Sequence, residues 1–302
     1  MSTLDEGPRG SEAVLLLHGN PTWSFFYRDL VRELSGQIRC VAPDHIGMGL
    51  SDKPRDYNYR LAARIADIDA LVAALGLSRV HLVIHDWGGA IGFGWAVSRP
   101  ELLGRILILN TAAFPSGRIP ARIALCRVPL LGEWIVRRLN GFARAATHMA
   151  MHSRRLTAEE RRAYLFPYDS WSNRIGIHRF VRDIPLERDH PSRADLEGVA
   201  RRLPVLESNS KLILWGGRDF CFDDRFLAAW RRIYPQARFH RFPDAGHYLL
   251  EDAGPAAREM AVDFLLDRTL TPGERVELQT RAINLRLNRG HTPKAIDIRP
   301  LA

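Results

Sequence analysis

The sequence predicts an α/β fold: a mostly parallel, doubly wound sheet interrupted by one helical insertion. Three observations carry this expectation. Short apolar, β-branched runs alternate with segments of helical period through the first hundred residues, the pattern of parallel strands joined by crossover helices. The alternation lapses between residues 114 and 205 and then resumes. At 302 residues, with 46% hydrophobic and 25% charged side chains, the chain is long enough to bury one large core and carry an insertion.

Along the chain, AVLLL (13–17), IRCVA (38–42), VHLVI (80–84) and RILIL (105–109) read as buried strands. Between them SFFYRDLVREL, RLAARIADIDALVAAL and GAIGFGWAVS place apolar residues at i, i+3 and i+4, the spacing of helices. Residues 114–205 are helical and Arg-rich, broken by prolines and glycines. The alternation returns with KLILW (211–215), the helix DDRFLAAWRRIY, the strand ARFHRF (237–242) and a last helix over 255–267. This divides the chain into a core of residues 1–113 and 206–269 and a helical cap of residues 114–205. Residues 270–302, polar and patternless after a TPG break, form a tail with no assigned role. A cap inserted at this point lies over the carboxyl ends of the strands, where open α/β sheets bind ligands.

Composition narrows the partners. The three cysteines, Cys40, Cys126 and Cys221, are far apart and lack the spacing of a disulfide framework or a zinc site, so a reducing cytoplasm is expected and no metal or cofactor. MSTLDEGPRG has neither a basic n-region nor a hydrophobic h-region, and no apolar run approaches the roughly 18 residues needed to span a bilayer. A net charge of +9 raises nucleic acid or anionic membrane as partners. Of the 43 basic residues 40 are Arg, and they are not interleaved with aromatics, so nucleic acid is not expected. Nearly all the imbalance belongs to the cap, which carries 17 Arg and no Lys against nine Asp and Glu. That excess is either a solvated surface or a docking face for an acidic protein or a membrane.

The chemistry begins at LVIHDWGGAIGF (82–93). A strand, a sharp turn and a helix with a reactive side chain at the apex make a nucleophile elbow, and glycines follow because the tight turn leaves no room for a Cβ. Here the apex is Asp86, with Gly88, Gly89 and Gly92 behind it. Alone, an Asp in this place also reads as a helix N-cap. The rest of the chain favours the elbow. HGNPTW (18–23) puts Gly19 and Asn20 at the carboxyl edge of the sheet, where a backbone N–H and a side-chain amide face a developing anion. KLILWGGRD puts Asp219 just past another strand, and PDAGHY puts His247 in the loop after the last one. A carboxylate, unlike a serine, is ionised at neutral pH and displaces a leaving group from saturated carbon.

HGNPTWSFFYR, DHIGMGLSDKP (44–54), VIHDWGG, LWGGRD and DAGHYLLED together resemble the haloalkane dehalogenase family of α/β-hydrolases, over roughly residues 13–267. The resemblance implies the α/β-hydrolase fold with its cap after the sixth strand. It implies Asp86 as nucleophile, His247 as general base, Asp219 as the acid orienting that histidine, and Asn20 with Trp87 as donors to the leaving group. The family's other acid position follows RILIL, where this chain has Asn110 and Thr111. LNTAAFPSGRIPARIALCRVP, RRLNGFARAATHMAM, PYDSW and RFVRDIPL are similar to the subgroup containing the OleB-type cis-β-lactone decarboxylases of olefin biosynthesis. That similarity implies loss of carbon dioxide from a long-chain cis-3,4-dialkyl β-lactone, with hydrolysis of a haloalkane as the alternative. A small hydrophobic substrate, other olefin-biosynthesis enzymes and a homo-oligomer are the implied partners. The family begins with a β-hairpin, of which residues 2–8 match only the second half.

An epoxide hydrolase uses the same triad but needs cap tyrosines as acids, and Tyr164 and Tyr168 are available. HGNPTW favours the dehalogenase pattern, and both tyrosines read as packing residues. A catalytically silent docking module is the remaining rival. His18 and His85 read as hydrogen-bonders fixing their turns, and Asp44 and Asp52 as Asx-type partners of a Gly-rich turn. Met149, Met151, Phe142, Phe166 and Phe180 are assigned to the cap core, and Trp171 to the lining of the substrate pocket.

Overall fold

The structure, a computed structural model, describes residues 1–268; the tail at 270–302 lies outside them. Seven strands, β1 (Thr3–Glu6), β2 (Glu12–Leu17), β3 (Arg39–Pro43), β4 (Arg79–Asp86), β5 (Leu103–Thr111), β6 (Lys211–Gly216) and β7 (Arg238–Phe242), form one sheet. Their spatial order is β1-β3-β2-β4-β5-β6-β7. Every neighbouring pair is parallel except β1 with β3.

The apolar runs become strands buried on both faces because successive side chains point to opposite sides of the sheet. Along β2, Ala13, Leu15 and Leu17 enter one core while Val14 and Leu16 enter the other. In β4, Leu82 and Ile84 join the first core and Val83 the second. Helices α1 (Arg28–Leu34), α2 (Leu61–Ala74) and α3 (Trp87–Ala96) connect the first strands. Leu61, Ile68 and Val72 of α2 pack on the first face with α3, and Leu30, Val31 and Leu34 of α1 on the second.

Between β5 and β6 the chain is helical: α4 (Ala121–Arg127), α5 (Leu131–Glu133) running into a π-turn over Trp134–Arg138, α6 (Gly141–Met149), α7 (Ala158–Leu165), α8 (Ile175–Arg182) and α9 (Arg193–Arg202). A capping box starts α7: Thr157 accepts from the Glu160 N–H at 3.1 Å and Glu160 accepts from the Thr157 N–H at 2.7 Å. The remaining elements are α10 (Asp224–Ile233), α11 (Leu249–Asp252) and α12 (Pro255–Leu265). The cap thus follows the fifth strand in chain order. The expected count of six included both strands of the family's opening hairpin, whereas one strand, β1, precedes β2 here, antiparallel at the sheet edge. Among the described residues no helix is long and apolar enough to cross a membrane, and all three cysteines are free thiols.

Candidate active site

β4 ends at Asp86 and α3 begins at Trp87, so strand turns into helix with no intervening loop. Asp86 makes the turn at φ 51°, ψ −125°, a conformation a non-glycine residue adopts only where its surroundings impose it. Those surroundings are visible. On β5, Thr111 is the register partner of Asp86 and its hydroxyl donates to the Asp86 carbonyl. A Cβ on Gly88 would lie 2.0 Å from the Leu17 carbonyl oxygen, and one on Gly89 1.9 Å from Thr111 Oγ1. The Asp86 side chain makes no capping hydrogen bond to α3, so the N-cap reading fails.

The carboxylate faces outward into a ring of donors. Its Oδ1 accepts the backbone N–H of Asn20 at 2.7 Å, and the backbone N–H of Trp87 also favours its charged form. Gly19 lets the two segments approach: a Cβ there would fall 2.2 Å from both Cβ and Oδ1 of Asp86. Across from Oδ2, His247 Nε2 stands 3.6 Å away. On the far side of the ring, Nδ1 donates to Asp219 Oδ2 at 2.8 Å. Asp219 is fixed in turn by the N–H groups of Cys221 and Phe222, at 2.6 and 3.1 Å from its Oδ1.

Asp86, His247 and Asp219, 161 residues apart at their extremes in sequence, therefore lie in one buried line. Burial raises the Asp86 pKa, and the opposing pull of His247 and of the two N–H groups does not bring it back to the ordinary carboxylate value. Burial alone would lower His247; the charge and hydrogen bond of Asp219, then the charge of Asp86, outweigh it and raise the imidazole above its usual value. The two carboxylates thus make the imidazole a better proton acceptor than a free histidine.

Asn20 is held by its side chain as well: Nδ2 donates to the Ile177 carbonyl of α8 at 3.2 Å, tying the loop after β2 to the cap. Trp87 is half-buried against Phe180 of α8, ring centroids 5.2 Å apart. Trp171 departs from expectation. It is 40% exposed, with the Arg137 guanidinium 4.3 Å over its ring, because the short turn after Tyr168 faces it outward. Phe180, assigned to the cap core, is the aromatic that packs on Trp87.

The other sequence-marked residues are structural. Asn110 accepts the Gly216 N–H at 2.7 Å and donates to the Gly216 carbonyl at 3.1 Å, strapping β5 to β6 where the family's alternative acid would stand. His18 accepts the His45 N–H at 3.1 Å, and Asp44 accepts the N–H groups of Ser24 and Leu50 at 2.7 Å each. His85 Nε2 lies 2.9 Å from the His247 carbonyl and so supports the histidine loop from below. The Tyr164 hydroxyl donates to Glu251 at 2.6 Å, and that of Tyr168 to the Thr22 carbonyl at 3.3 Å. Sequence reasoning missed Asp252. Its carboxylate gathers the N–H groups of His152, Ser153, Arg154 and Gly246 at 2.6 to 3.1 Å, joining cap to histidine loop. Among the described residues no group of three or more His, Cys, Asp or Glu is placed to hold a metal ion.

Comparison with known proteins agrees with this fold. Residues 12–254 match the α/β-hydrolase fold family. The chain is 48% identical to the cis-3-alkyl-4-alkyloxetan-2-one decarboxylase of Xanthomonas campestris over 263 residues, covering 83% of this chain and 87% of the relative. It is 31% identical to haloalkane dehalogenase 2 of Mycobacterium bovis, over 83% of this chain and 86% of that one. The solved structure of haloalkane dehalogenase DbeA from Bradyrhizobium elkani superposes with a TM-score of 0.80 at 26% identity, over 88% of this chain and 93% of that one. The chain belongs to the α/β-hydrolase fold family, as an enzyme of the haloalkane dehalogenase-like branch that includes the β-lactone decarboxylases.

Proposed function

We propose that the protein decarboxylates a hydrophobic cis-3,4-dialkyl β-lactone to a cis-alkene, with Asp86 as the nucleophile. The observation that carries this is a carboxylate, not a hydroxyl, at the elbow, 3.6 Å from a histidine that a second buried carboxylate holds at 2.8 Å. An ionised Asp86 attacks the ring carbon that bears oxygen, the C–O bond breaks, and a carboxylate departs on the neighbouring carbon. The bond from that carbon to the carboxylate then breaks, its electrons form the alkene, and the Asp86 carboxylate leaves. Inversion in the first step followed by anti loss in the second preserves the cis relation of the two chains, and no water is consumed. The departing carboxylate is met by Trp87 and by the second N–H of the Asn20 amide, whose first is anchored on Ile177. The 48% identity to a decarboxylase, against 31% to a dehalogenase, supports the lactone.

Haloalkane hydrolysis is the second reading, favoured by the resemblance of the whole fold to dehalogenases. There the halide leaves and His247 activates water against the alkyl ester on Asp86. Epoxide hydrolysis loses support, since both cap tyrosine hydroxyls are engaged elsewhere. The test is to give the purified protein a cis-dialkyl β-lactone and, separately, a bromoalkane, following alkene, alcohol and bromide. Alkene that vanishes in Asp86→Ala supports the proposal; bromide release without alkene overturns it.

A further inference from the structure

Nine of the eleven exposed large apolar side chains among the described residues lie in the cap, and six of them, Leu125, Val128, Leu130, Leu131, Trp134 and Leu139, fall within residues 125–139. Six exposed large apolar residues within fifteen positions are a denser cluster than the scattered single residues of an ordinary surface. Its tip is Leu130, 83% exposed, followed one turn later by Trp134, 52% exposed. The tip is not a loose loop. The Gly132 N–H bonds the Val128 carbonyl at 2.8 Å and the Trp134 N–H bonds the Leu130 carbonyl at 2.9 Å. The side chains are therefore presented on a formed helical turn.

Charge surrounds the tip. Residues 118–144 hold six Arg and a single acid, Glu133, which pairs with Arg137 at 2.6 Å. Beside it opens a cavity of about 720 Å³, with Val128 and Pro129 on one wall and Arg60, Arg127, Arg179 and Arg182 around it. Its one acidic lining residue, Glu187, is bonded to Arg127. Arg60 is spent on the buried Asp183 at 3.0 Å, and Arg182 donates to the Arg127 carbonyl at 3.1 Å. Guanidinium groups match phosphate oxygens in charge and geometry.

We propose that this face docks on an anionic phospholipid bilayer, the Leu130–Trp134 turn entering the interface and lipid phosphates occupying the Arg-lined cavity beside it. Apolar and indole side chains flanked by Arg are the chemistry of segments that lie in a membrane surface without spanning it. An acidic protein would match the same guanidinium groups, and its retention through them in place of lipid is an outcome that overturns the proposal. The choice of lipid also rests on the decarboxylase reading, because a β-lactone carrying two long alkyl chains partitions into a bilayer. The cap is the element through which such a substrate would arrive, since α8 contacts both Asn20 and Trp87.

The test is co-sedimentation of the full chain with vesicles of phosphatidylcholine alone and of phosphatidylcholine mixed with phosphatidylglycerol. Binding is expected to the mixed vesicles and to weaken as salt is raised. The double variants Leu130→Glu/Trp134→Glu and Arg179→Glu/Arg182→Glu should each lower the partition constant by about tenfold or more, the first by losing its apolar anchor and the second because each reversed charge near an anionic surface acts on the order of a kcal/mol. Both should turn over a short-chain lactone without vesicles at the wild-type rate, which separates loss of docking from failure of the decarboxylase reading. Glycerol phosphate at millimolar concentration should not compete, because the site needs the bilayer. Equal sedimentation of the wild type and both variants overturns the proposal. So does failure to bind mixed vesicles by a chain that instead retains an acidic protein through the same arginines.

Discussion

Asp219→Asn tests the site at its most buried point. The substitution keeps the shape of the side chain and removes its charge. Today one carboxylate oxygen takes the N–H groups of Cys221 and Phe222, and the other takes the His247 Nδ1–H at 2.8 Å. An asparagine that keeps its oxygen toward the two backbone donors turns its NH2 onto Nδ1, which must then accept. The ring proton is driven to Nε2, the edge that faces Asp86. Removing one partner of a buried charge pair costs about 3 to 5 kcal/mol. If that charge stabilises the imidazolium as the leaving group departs, kcat/KM falls by about 10² to 10⁴.

The same change predicts a direction in pH. Asp219 is the strongest influence raising the imidazole, and without it the effect of burial dominates, so the His247 pKa falls. A step that needs the imidazolium then loses its alkaline range first, and the descending limb of the profile moves to lower pH. The assay is alkene release from a β-lactone across a pH series, with a thermal melt showing that the variant is folded. A folded variant that loses less than tenfold in kcat/KM with an unmoved alkaline limb would refute the role given to Asp219.

Three further perturbations follow from the geometry. Gly19→Ala places a Cβ 2.2 Å from the Asp86 Cβ and Oδ1, and a displacement of about an ångström at a reacting group costs on the order of 10² in rate; single-turnover kinetics should show it in kcat, with a lowered melting temperature from the overpacked turn. Because burial raises the Asp86 pKa, the nucleophile is lost as pH falls through a value above the ordinary range for aspartate; an acid limb at the ordinary value in kcat/KM would contradict the burial argument. Trp171→Ala, at an exposed position, should leave KM within about twofold, whereas Phe180→Ala removes the ring against Trp87 and about 3 to 5 kcal/mol of core packing, raising KM and lowering the melting temperature together.

The parallel strands β2 to β6 were legible because each is largely buried on both faces, so its residues read as an apolar run, whereas the exposed edge strand β7, RFHRF, was read from its alternating aromatic residues. β1 was legible only through the family's opening hairpin, since Thr3–Glu6 is a partly exposed edge strand with no such run. The line Asp86–His247–Asp219 was legible because each member sits in a turn after a strand, where the direction of the sheet decides which edge the turn occupies. Asn110 shows the limit of that logic. Its exclusion as the acid could be read from residue type, but its use as a strap on Gly216 depends on the register of β5 against β6. Asp252 was hidden for a related reason: in LLED it looks like a solvated helix residue, and three of its backbone donors come from about a hundred positions away.

The leaving group was the least legible feature, and the geometry explains why. The Asp86 carboxylate is held by the backbone N–H of Asn20, which any residue except proline would supply. The side chains offered to the leaving group are donors that serve halide and carboxylate equally. If a lactone opens onto Asp86, alkene and hydroxy acid are separated by whether water reaches that ester from the His247 side before the neighbouring carboxylate is lost as carbon dioxide. That depends on how tightly α8 closes over Asn20 and Trp87, through contacts at Ile177 and Phe180. A change that loosens this closure, such as Phe180→Ala, should therefore divert product from alkene toward hydroxy acid. A variant that slows without changing its product ratio would place the discrimination in the substrate and not in the cap.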